Sequence, residues 1–213
     1  MAPARKTALV VSAHSADFVW RAGGAIALYA ARGYEITIVC LSFGERGESA
    51  KLWRKPGMTL DAVKAARREE AEQAAALLGA RLHCLDLGDY PLRVPDEAVL
   101  GLADLYREID PAFVLTHSLN DPYNFDHPRA AHVAQEARII AQAHGHRPEQ
   151  GRVLGAPPVF LFEPHQPAPA DRLMQRGDAE RRQPGREFRG EARFPGDDDA
   201  VHASSSVTCG KRR

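Results

Sequence analysis

Three side chains that commonly bind metals lie just beyond strand-like segments of this sequence. His14 comes directly after an apolar run at 7–13, and Asp17 lies three residues further on. His127 lies in a loop that follows a second apolar run at 112–116. Two imidazoles and one carboxylate can occupy three positions around a zinc ion and leave the fourth for water or substrate. This composition is typical of a catalytic zinc site, so the sequence predicts a metalloenzyme.

The elements that must position these residues follow an alternating pattern. Apolar runs with many β-branched residues predict strands at 7–13, 35–43, 82–87, 112–116 and 159–162. Helical spacing of apolar residues, with glycine or proline at the ends, predicts helices at 17–32, 60–78, 96–109 and 128–143. Strands that alternate with helices indicate a parallel sheet with helices on both faces. We therefore expect an α/β fold of three layers, Rossmann-like, with a mostly parallel sheet.

Polar residues are concentrated where the predicted strands end. In open parallel sheets, ligands bind outside the carboxyl ends of the strands. The residues that follow these ends include His14 and Asp17; Glu45 and Glu48; Asp86 and Asp89; His117, Asn124, Asp126 and His127; and Glu163 and His165. The active site is therefore expected along this one edge of the sheet.

Bulk composition is that of an ordinary soluble domain. The chain has 213 residues, of which 44% are hydrophobic and 26% charged, and its formal net charge is zero. Nothing in this balance favours a nucleic-acid or membrane partner, and no apolar run approaches the ~20 residues that span a bilayer. The segment 1–6 lacks the features of a signal peptide. Cys40 and Cys84 lie within apolar patterns and are expected to be reduced, which predicts a cytoplasmic protein.

The pattern breaks near Ala168. From there the chain is rich in Arg, Gly, Asp and Pro and has almost no Leu, Ile or Val. We expect a catalytic domain at 1–167 and a tail at 168–213. The tail is either a disordered extension or not the natural continuation of the gene, for example a shifted reading frame. A sheet that stops after five strands leaves an edge that a second subunit could cover. A homo-oligomer is therefore one of the alternatives that the sequence leaves undecided.

Long segments of the sequence resemble a known family. The early His14–Asp17 turn and the later Asp126-His127 loop resemble the A-H-P-D-D-E and H-P-D-H motifs of the PIG-L (LmbE-like) zinc deacetylases, over roughly residues 5–167. The resemblance implies that His14, Asp17 and His127 bind zinc. The most specific segments resemble 4-oxalomesaconate hydratases, a divergent branch of that family; they lie at 12–24, 41–56, 86–93, 116–128 and 162–167.

Two departures from the deacetylase motifs bear on the reaction. Ala16 stands where the deacetylases have their general base, and Asn124 stands where they have a histidine that assists the oxyanion. General-base catalysis is typically worth ~10²–10⁴-fold in rate. The departures therefore favour the hydratase branch over an N-deacetylase of a small N-acetylated molecule. A degenerate or truncated family member without turnover is the third alternative.

The hydratase resemblance implies that water adds to a carbon–carbon double bond of 4-oxalomesaconate, a tricarboxylic keto acid, to give 4-carboxy-4-hydroxy-2-oxoadipate. This reaction belongs to the breakdown of gallate and protocatechuate. Zinc can act as a Lewis acid or acidify water. Glu48 is the expected base that accepts the proton of the water, with Glu45 as the alternative. His165 is either the acid that protonates the neighbouring carbon or a packing residue between two prolines.

Cationic and polar side chains should hold the three carboxylates of such a substrate. Arginine can bind a carboxylate through two parallel hydrogen bonds. Basic residues follow strands two and three at Arg46, Lys51, Arg54, Lys55 and Arg93. We expect Arg46, Arg54, Tyr123 and Asn124 to bind substrate. Trp53 either closes its loop over the site or anchors the loop, and His117 either orients its neighbours or acts directly.

Overall fold

The computed structural model describes residues 6–150 and 153–162. Five parallel strands form one sheet in the order β3-β2-β1-β4-β5. The strands are β1 (Thr7–Ser12), β2 (Glu35–Cys40), β3 (Ala80–Cys84), β4 (Phe113–Thr116) and β5 (Val159–Leu161). The helices are α1 (Asp17–Ala31), α2 (Ala50–Trp53), α3 (Leu60–Leu77), α4 (Asp96–Ile109) and α5 (Asp126–Gln142), with a 3-10 turn at Pro148–Gln150.

The sheet buries a separate apolar core on each face, which confirms the predicted three-layer α/β fold. Side chains alternate along β1, so Leu9 and Val11 lie on one face and Ala8 and Val10 on the other. The first pair packs with residues of α4 and α5, and the second pair with residues of α1 and α3. Strands covered on both faces are expected to be apolar throughout, and all six residues of β1 are buried.

Strand order reverses at the centre of the sheet. The chain runs outward from β1 to β3 and then returns to place β4 on the other side of β1. At such a switch point the loops after the two central strands diverge and leave a crevice. The loops that follow β1 and β4 carry His14 and His127, so the topology brings the two predicted imidazole ligands to the same crevice.

Element boundaries differ from the sequence prediction mainly around β3. The predicted strand at 82–87 is shifted, since β3 ends at Cys84 and Asp86 adopts a left-handed backbone with φ 54°. The predicted loop at 44–58 contains the short helix α2. Cys40 and Cys84 are free thiols on paired positions of β2 and β3. The segment from Glu163 onward, which includes His165 and the predicted tail at 168–213, lies outside the described residues.

Within the described residues, no helix combines the length and the apolar character that a membrane crossing requires.

Candidate metal centre

His14 leaves the end of β1 with its ring fully buried in the crevice. Its Nδ1 lies 3.0 Å from Oδ2 of Asp17 and 3.2 Å from Oε1 of Glu48. The same Oδ2 of Asp17 accepts the backbone N–H of His14 at 3.0 Å, which fixes the carboxylate at the first turn of α1. The His-x-x-Asp spacing therefore brings an imidazole nitrogen and a carboxylate oxygen to one point.

His127 approaches the same point from the N-terminus of α5. Its Nε2 lies 3.4 Å from Oδ1 of Asp17 and 3.9 Å from Oε1 of Glu48. Glu48 comes from the loop after β2. Three separate loops thus deliver one group of possible metal ligands: His14, Asp17, Glu48 and His127, with one ligand atom from each lying within 4.8 Å of the others.

Spacing and chemistry of this group fit a zinc ion. Ligand atoms about 2.0–2.2 Å from a tetrahedral ion lie roughly 3.3–3.6 Å from each other. The separations from His14 Nδ1 to Glu48 and from His127 Nε2 to Asp17 are 3.2 and 3.4 Å. Three buried side chains and one more accessible one also match three ligands with an open position, because Glu48 keeps 23% of its side-chain exposure while His14, Asp17 and His127 keep 6% or less.

Both imidazoles are oriented by a carboxylate on the far side of the ring. Nε2 of His14 lies 3.1 Å from Oδ2 of Asp126, and Nδ1 of His127 lies 2.8 Å from Oδ2 of Asp121. A carboxylate on one nitrogen of a ligand histidine holds the proton there and directs the other nitrogen to the metal. In this chain the directed atoms are Nδ1 of His14 and Nε2 of His127.

Electrostatic interactions favour the ionised forms of Asp17 and Asp126. Burial alone would raise the pKa of Asp17, but hydrogen bonds with His127 and His14 hold that pKa well below its usual range. Burial likewise opposes a low pKa at Asp126, yet the hydrogen bond with His14 and the N–H groups of Tyr90 and Leu92 lower it. Ionised Asp17 is the form that binds a cation.

His14 lies among three carboxyl groups. Burial lowers its pKa, but hydrogen bonds with Asp126, Asp17 and Glu48 outweigh burial and raise the pKa well above its usual value. The site therefore favours positive charge at this point. A divalent cation would supply that charge.

His117 supports the cluster from the end of β4. Its Nε2 accepts the backbone N–H of Ala13 at 2.9 Å, and its ring stacks on His127 with centroids 4.2 Å apart. Burial lowers the pKa of His117 to about 3, so the ring is neutral. Because the Nε2 lone pair is already used, the structure favours the orienting role for His117 over a direct one.

Gly44 allows the loop after β2 to approach His14. Its φ of +69° is in the left-handed region, and a Cβ at this position would lie 3.2 Å from Cβ of His14 and 3.3 Å from Cβ of Glu48. Both the left-handed backbone conformation and the lack of room for a Cβ favour glycine. This close passage brings Glu48 back toward the cluster one turn later, where its backbone N–H donates to the Gly44 carbonyl at 3.1 Å.

Asp89 fixes the same loop from the segment after β3. Its two carboxylate oxygens accept the backbone N–H groups of Arg46 and Gly47 at 2.7–3.1 Å. The ring of Tyr90 then lies directly against Gly47, where any Cβ would collide with ring atoms. The loop that carries Glu48 thus contacts the turn after β1 on one side and residues 89–90 on the other.

Glu45 is separated from the cluster by its own contacts. Its side chain is fully buried, with Oε1 3.3 Å from Nη1 of Arg46 and 3.9 Å from Nζ of Lys64. Burial raises the pKa of Glu45, and the charge of Asp89 raises it further. Glu45 therefore has a structural position, and of the two candidate bases only Glu48 lies in the metal-binding group.

Residues predicted to bind substrate have varied surroundings. Arg46 directs its guanidinium to Glu45 and, at 3.9 Å, to Asp89. Arg54 is exposed at the end of α2, and Tyr123 is 63% exposed on the loop before α5. Asn124 is buried, and its Nδ2 donates to Oε1 of Glu48 at 3.3 Å. Their roles toward a substrate stay predictions.

Trp53 anchors the loop after β2, since its indole N–H donates to the carbonyl of Glu45 at 2.6 Å. Of the two alternatives considered from the sequence, the structure favours anchoring. Sequence reasoning missed the roles of Asp121, Asp126, Asp89 and Tyr90. Asp126 and Asp89 follow strand ends, which is a usable signal, but the partners of all four depend on loop geometry.

Residues 9–138, more than half of the chain, match the protein family described as PIG-L, GlcNAc-PI de-N-acetylase. Over 163 residues the chain is 66% identical to a protein of Pseudomonas putida named 4-oxalmesaconate hydratase. That alignment covers 76% of this chain and 63% of the relative, so the chain spans less than two thirds of the relative's length.

Two solved structures are also similar to this chain. The crystal structure of GalB from Pseudomonas putida KT2440, described as the 4-carboxy-2-hydroxymuconate hydratase, is 66% identical, with a TM-score of 0.74 over 76% of this chain and 67% of that one. An N,N'-diacetylchitobiose deacetylase from Pyrococcus horikoshii is 24% identical, with a TM-score of 0.66 over 78% of this chain and 63% of that one, and shares the fold.

Proposed function

The chain belongs to the PIG-L family, and from this premise we propose that it is a zinc-dependent hydratase rather than a deacetylase. The proposed reaction is the addition of water to the carbon–carbon double bond of 4-oxalomesaconate, which gives 4-carboxy-4-hydroxy-2-oxoadipate in gallate and protocatechuate degradation. The 66% identity to the relative named as a hydratase supports this choice. The proposed location is the cytoplasm.

The observation that carries the proposal is the position of Glu48 beside the metal-binding group. The position of the deacetylase base is occupied by Ala16, which has no proton acceptor. Glu48 instead places its Oε1 3.2 Å from Nδ1 of His14 and keeps partial exposure. A base is therefore present, but it approaches the site from the loop after β2 rather than from the start of α1.

His14, Asp17 and His127 would hold the zinc ion, and Glu48 would border the open position. A bound zinc ion would supply Lewis acidity, which polarises a carbonyl oxygen or makes water easier to deprotonate. Asp126 and Asp121 fix the orientation of the two imidazoles that would bind the ion. We assign the proton transfers of the reaction to side chains of this chain.

Addition of water requires two proton transfers. Glu48 accepts a proton from water while the oxygen forms a bond to the carbon β to a carbonyl, and the π electrons move toward that carbonyl to give an enolate. The α carbon then takes up a proton as the carbonyl re-forms. We propose His165 as the acid that delivers this proton. Net consumption is one water molecule for each product.

Substrate carboxylates would be held at the rim of the crevice. We propose Arg46 and Arg54 as cationic contacts and Tyr123 as a hydrogen-bond donor. The side chain of Arg46 is 49% exposed although it is paired with Glu45. Asn124 is proposed to act on substrate indirectly, since its amide nitrogen is directed to Glu48.

The test is to follow the ultraviolet absorbance of the conjugated double bond of 4-oxalomesaconate with protein that is metal-loaded, chelated or reconstituted with zinc. Loss of absorbance that chelation abolishes and zinc restores is expected. Glu48→Gln should reduce the rate by about 10²-fold or more, as for a general base, while Lys51→Gln on the following helix α2 provides a charge-change comparison.

No absorbance loss from metal-loaded, folded protein would overturn the hydratase proposal. Release of acetate from N-acetylated amino sugars by the same preparation would then identify it as a deacetylase. A preparation that neither binds zinc nor melts cooperatively would support the third alternative, a family member without turnover.

A further inference from the structure

Tyr90 has an unusual backbone position beside the metal-binding group. Its φ is +46°, in the left-handed region that non-glycine residues rarely adopt. Its backbone N–H donates to Oδ2 of Asp126 at 3.0 Å, and the same oxygen lies 3.1 Å from Nε2 of His14. One carboxylate therefore positions both a candidate zinc ligand and the backbone of Tyr90.

The ring of Tyr90 lies beside this group, between His14 and the loop that carries Glu48. Its centroid lies 6.1 Å from that of His14, and one edge contacts Gly47 so closely that no larger residue fits there. Gly47 immediately precedes Glu48, so the ring also limits the position of the proposed base. Tyr90 nevertheless remains 48% exposed.

The phenolic hydroxyl of Tyr90 is available to a ligand. Among the residues that the structure describes, Tyr90 forms a hydrogen bond through its backbone N–H and none through its hydroxyl. A phenol with an ordinary pKa of about 10 retains its proton at neutral pH and can donate it to an anion. Burial raises the pKa of the phenol, and the nearby charge of Glu48 raises it further.

We propose that Tyr90 is a substrate-contacting catalytic residue, whose hydroxyl donates a hydrogen bond to the substrate oxygen that is conjugated to the reacting double bond. This inference rests on the proposed hydratase function. The oxygen gains negative charge when water adds, so the hydrogen bond strengthens in the transition state. No proton is transferred from Tyr90, and the enolate regains its carbonyl when the α carbon is protonated.

The position explains why a rare backbone conformation and a glycine are combined here. Asp126 fixes the backbone of Tyr90 through a hydrogen bond, Gly47 leaves room for the ring, and about half of the residue stays exposed beside the metal-binding group.

The experiment compares Tyr90→Phe with wild type in the metal-loaded full chain. Removal of one donor to a developing oxyanion should lower kcat by about 10²-fold, with a smaller change in KM. Bound zinc per chain and melting temperature should stay unchanged, since the ring and the backbone bond remain. Tyr106→Phe is the matched control, because it removes a phenol from the core between α4 and α5, and its kcat should equal that of wild type.

A second measurement separates this inference from the proposed function. Binding of trans-aconitate, an unreactive unsaturated tricarboxylate, is measured by calorimetry for wild type and Tyr90→Phe. Weaker binding by the variant supports contact with the ligand even if 4-oxalomesaconate is not hydrated. If Tyr90→Phe keeps both the kcat and the probe affinity of wild type, the inference is overturned. Loss of zinc from the variant would also overturn it. So would a wild-type protein that neither turns over 4-oxalomesaconate nor binds trans-aconitate.

Discussion

The side-chain amide nitrogen of Asn124 donates a hydrogen bond to Oε1 of Glu48 across 3.3 Å, from the loop before α5 to the loop after β2. The amide oxygen of the same residue accepts the backbone N–H of Asp126 at 3.0 Å. Asn124 thus joins the first turn of α5 to the proposed base. A histidine in the deacetylase motif has been replaced by an amide whose donor is already directed to a carboxylate.

Asn124→Asp should therefore lower activity without loss of metal. The variant keeps an oxygen for the Asp126 amide but replaces the donor to Glu48 with a second negative charge, so Glu48 is repelled from its place. Loss of a hydrogen bond to a charged group is worth about 1.5–3 kcal/mol, or roughly 10–100-fold in kcat. Asn120→Asp, an exposed change on the same loop, is the control. Equal kcat in Asn124→Asp and wild type would refute the positioning role.

Removal of the metal should destabilise the protein. The ion would bind the folded cluster and not the unfolded chain, so at a thousandfold excess over Kd it stabilises by about 4 kcal/mol. For a domain of this size this corresponds to a shift in Tm of roughly 10 °C. Differential scanning fluorimetry with chelator, and again after addition of zinc, measures the shift.

Calcium provides the comparison for that experiment. It prefers six to eight oxygen ligands, whereas the cluster offers two nitrogens and two carboxylates. Calcium at the same concentration should leave Tm near the chelated value. An equal rise with calcium would indicate a general charge effect rather than a site built for zinc.

Asp121 should control metal affinity without touching the ion. Its Oδ2 lies 2.8 Å from Nδ1 of His127, and a hydrogen bond with His127 helps to lower the pKa of Asp121 against the effect of burial. Loss of such an orienting carboxylate typically costs 10–100-fold in metal affinity. Asp121→Asn should raise the Kd for zinc by about that factor in a competition with a chromophoric chelator. Asp61→Asn, an exposed change on α3, should leave the Kd unchanged.

Arg107 should be essential for stability and not for chemistry. From α4 its guanidinium donates to the carbonyls of Ala141, Ala143 and His146 at 2.7–3.0 Å, where α5 ends. Lysine cannot reproduce this planar fork. Since each buried carbonyl without a donor costs about 1–3 kcal/mol, Arg107→Lys should lower the free energy of unfolding by roughly 2–4 kcal/mol.

Urea denaturation of Arg107→Lys, with the exposed change Arg129→Lys on α5 as control, measures that loss. The kcat of the folded variant should match wild type, because Arg107 lies in the core and packs against the end of α5 rather than the crevice. A fall in kcat at unchanged stability would contradict the assignment.

The sequence by itself determined the order of elements and the edge of the sheet that carries chemistry. Apolar periodicity and turn residues are local signals, and α4 occurs at 96–109 as predicted. Parallel strands place all their carboxyl ends on one side, so His14, Asp17 and His127 could be grouped before any distance was known.

Only the tertiary structure decided which side chains of the loops meet. Glu45 and Glu48 are equally polar in the sequence, but the left-handed turn at Gly44 sends Glu48 into the cluster while Glu45 is buried against Arg46. The contact of Tyr90 with Asp126 spans 36 residues, and that of Asn124 with Glu48 spans 76. Side-chain direction in a loop depends on such long-range contacts and on individual φ angles, and neither is encoded in local periodicity.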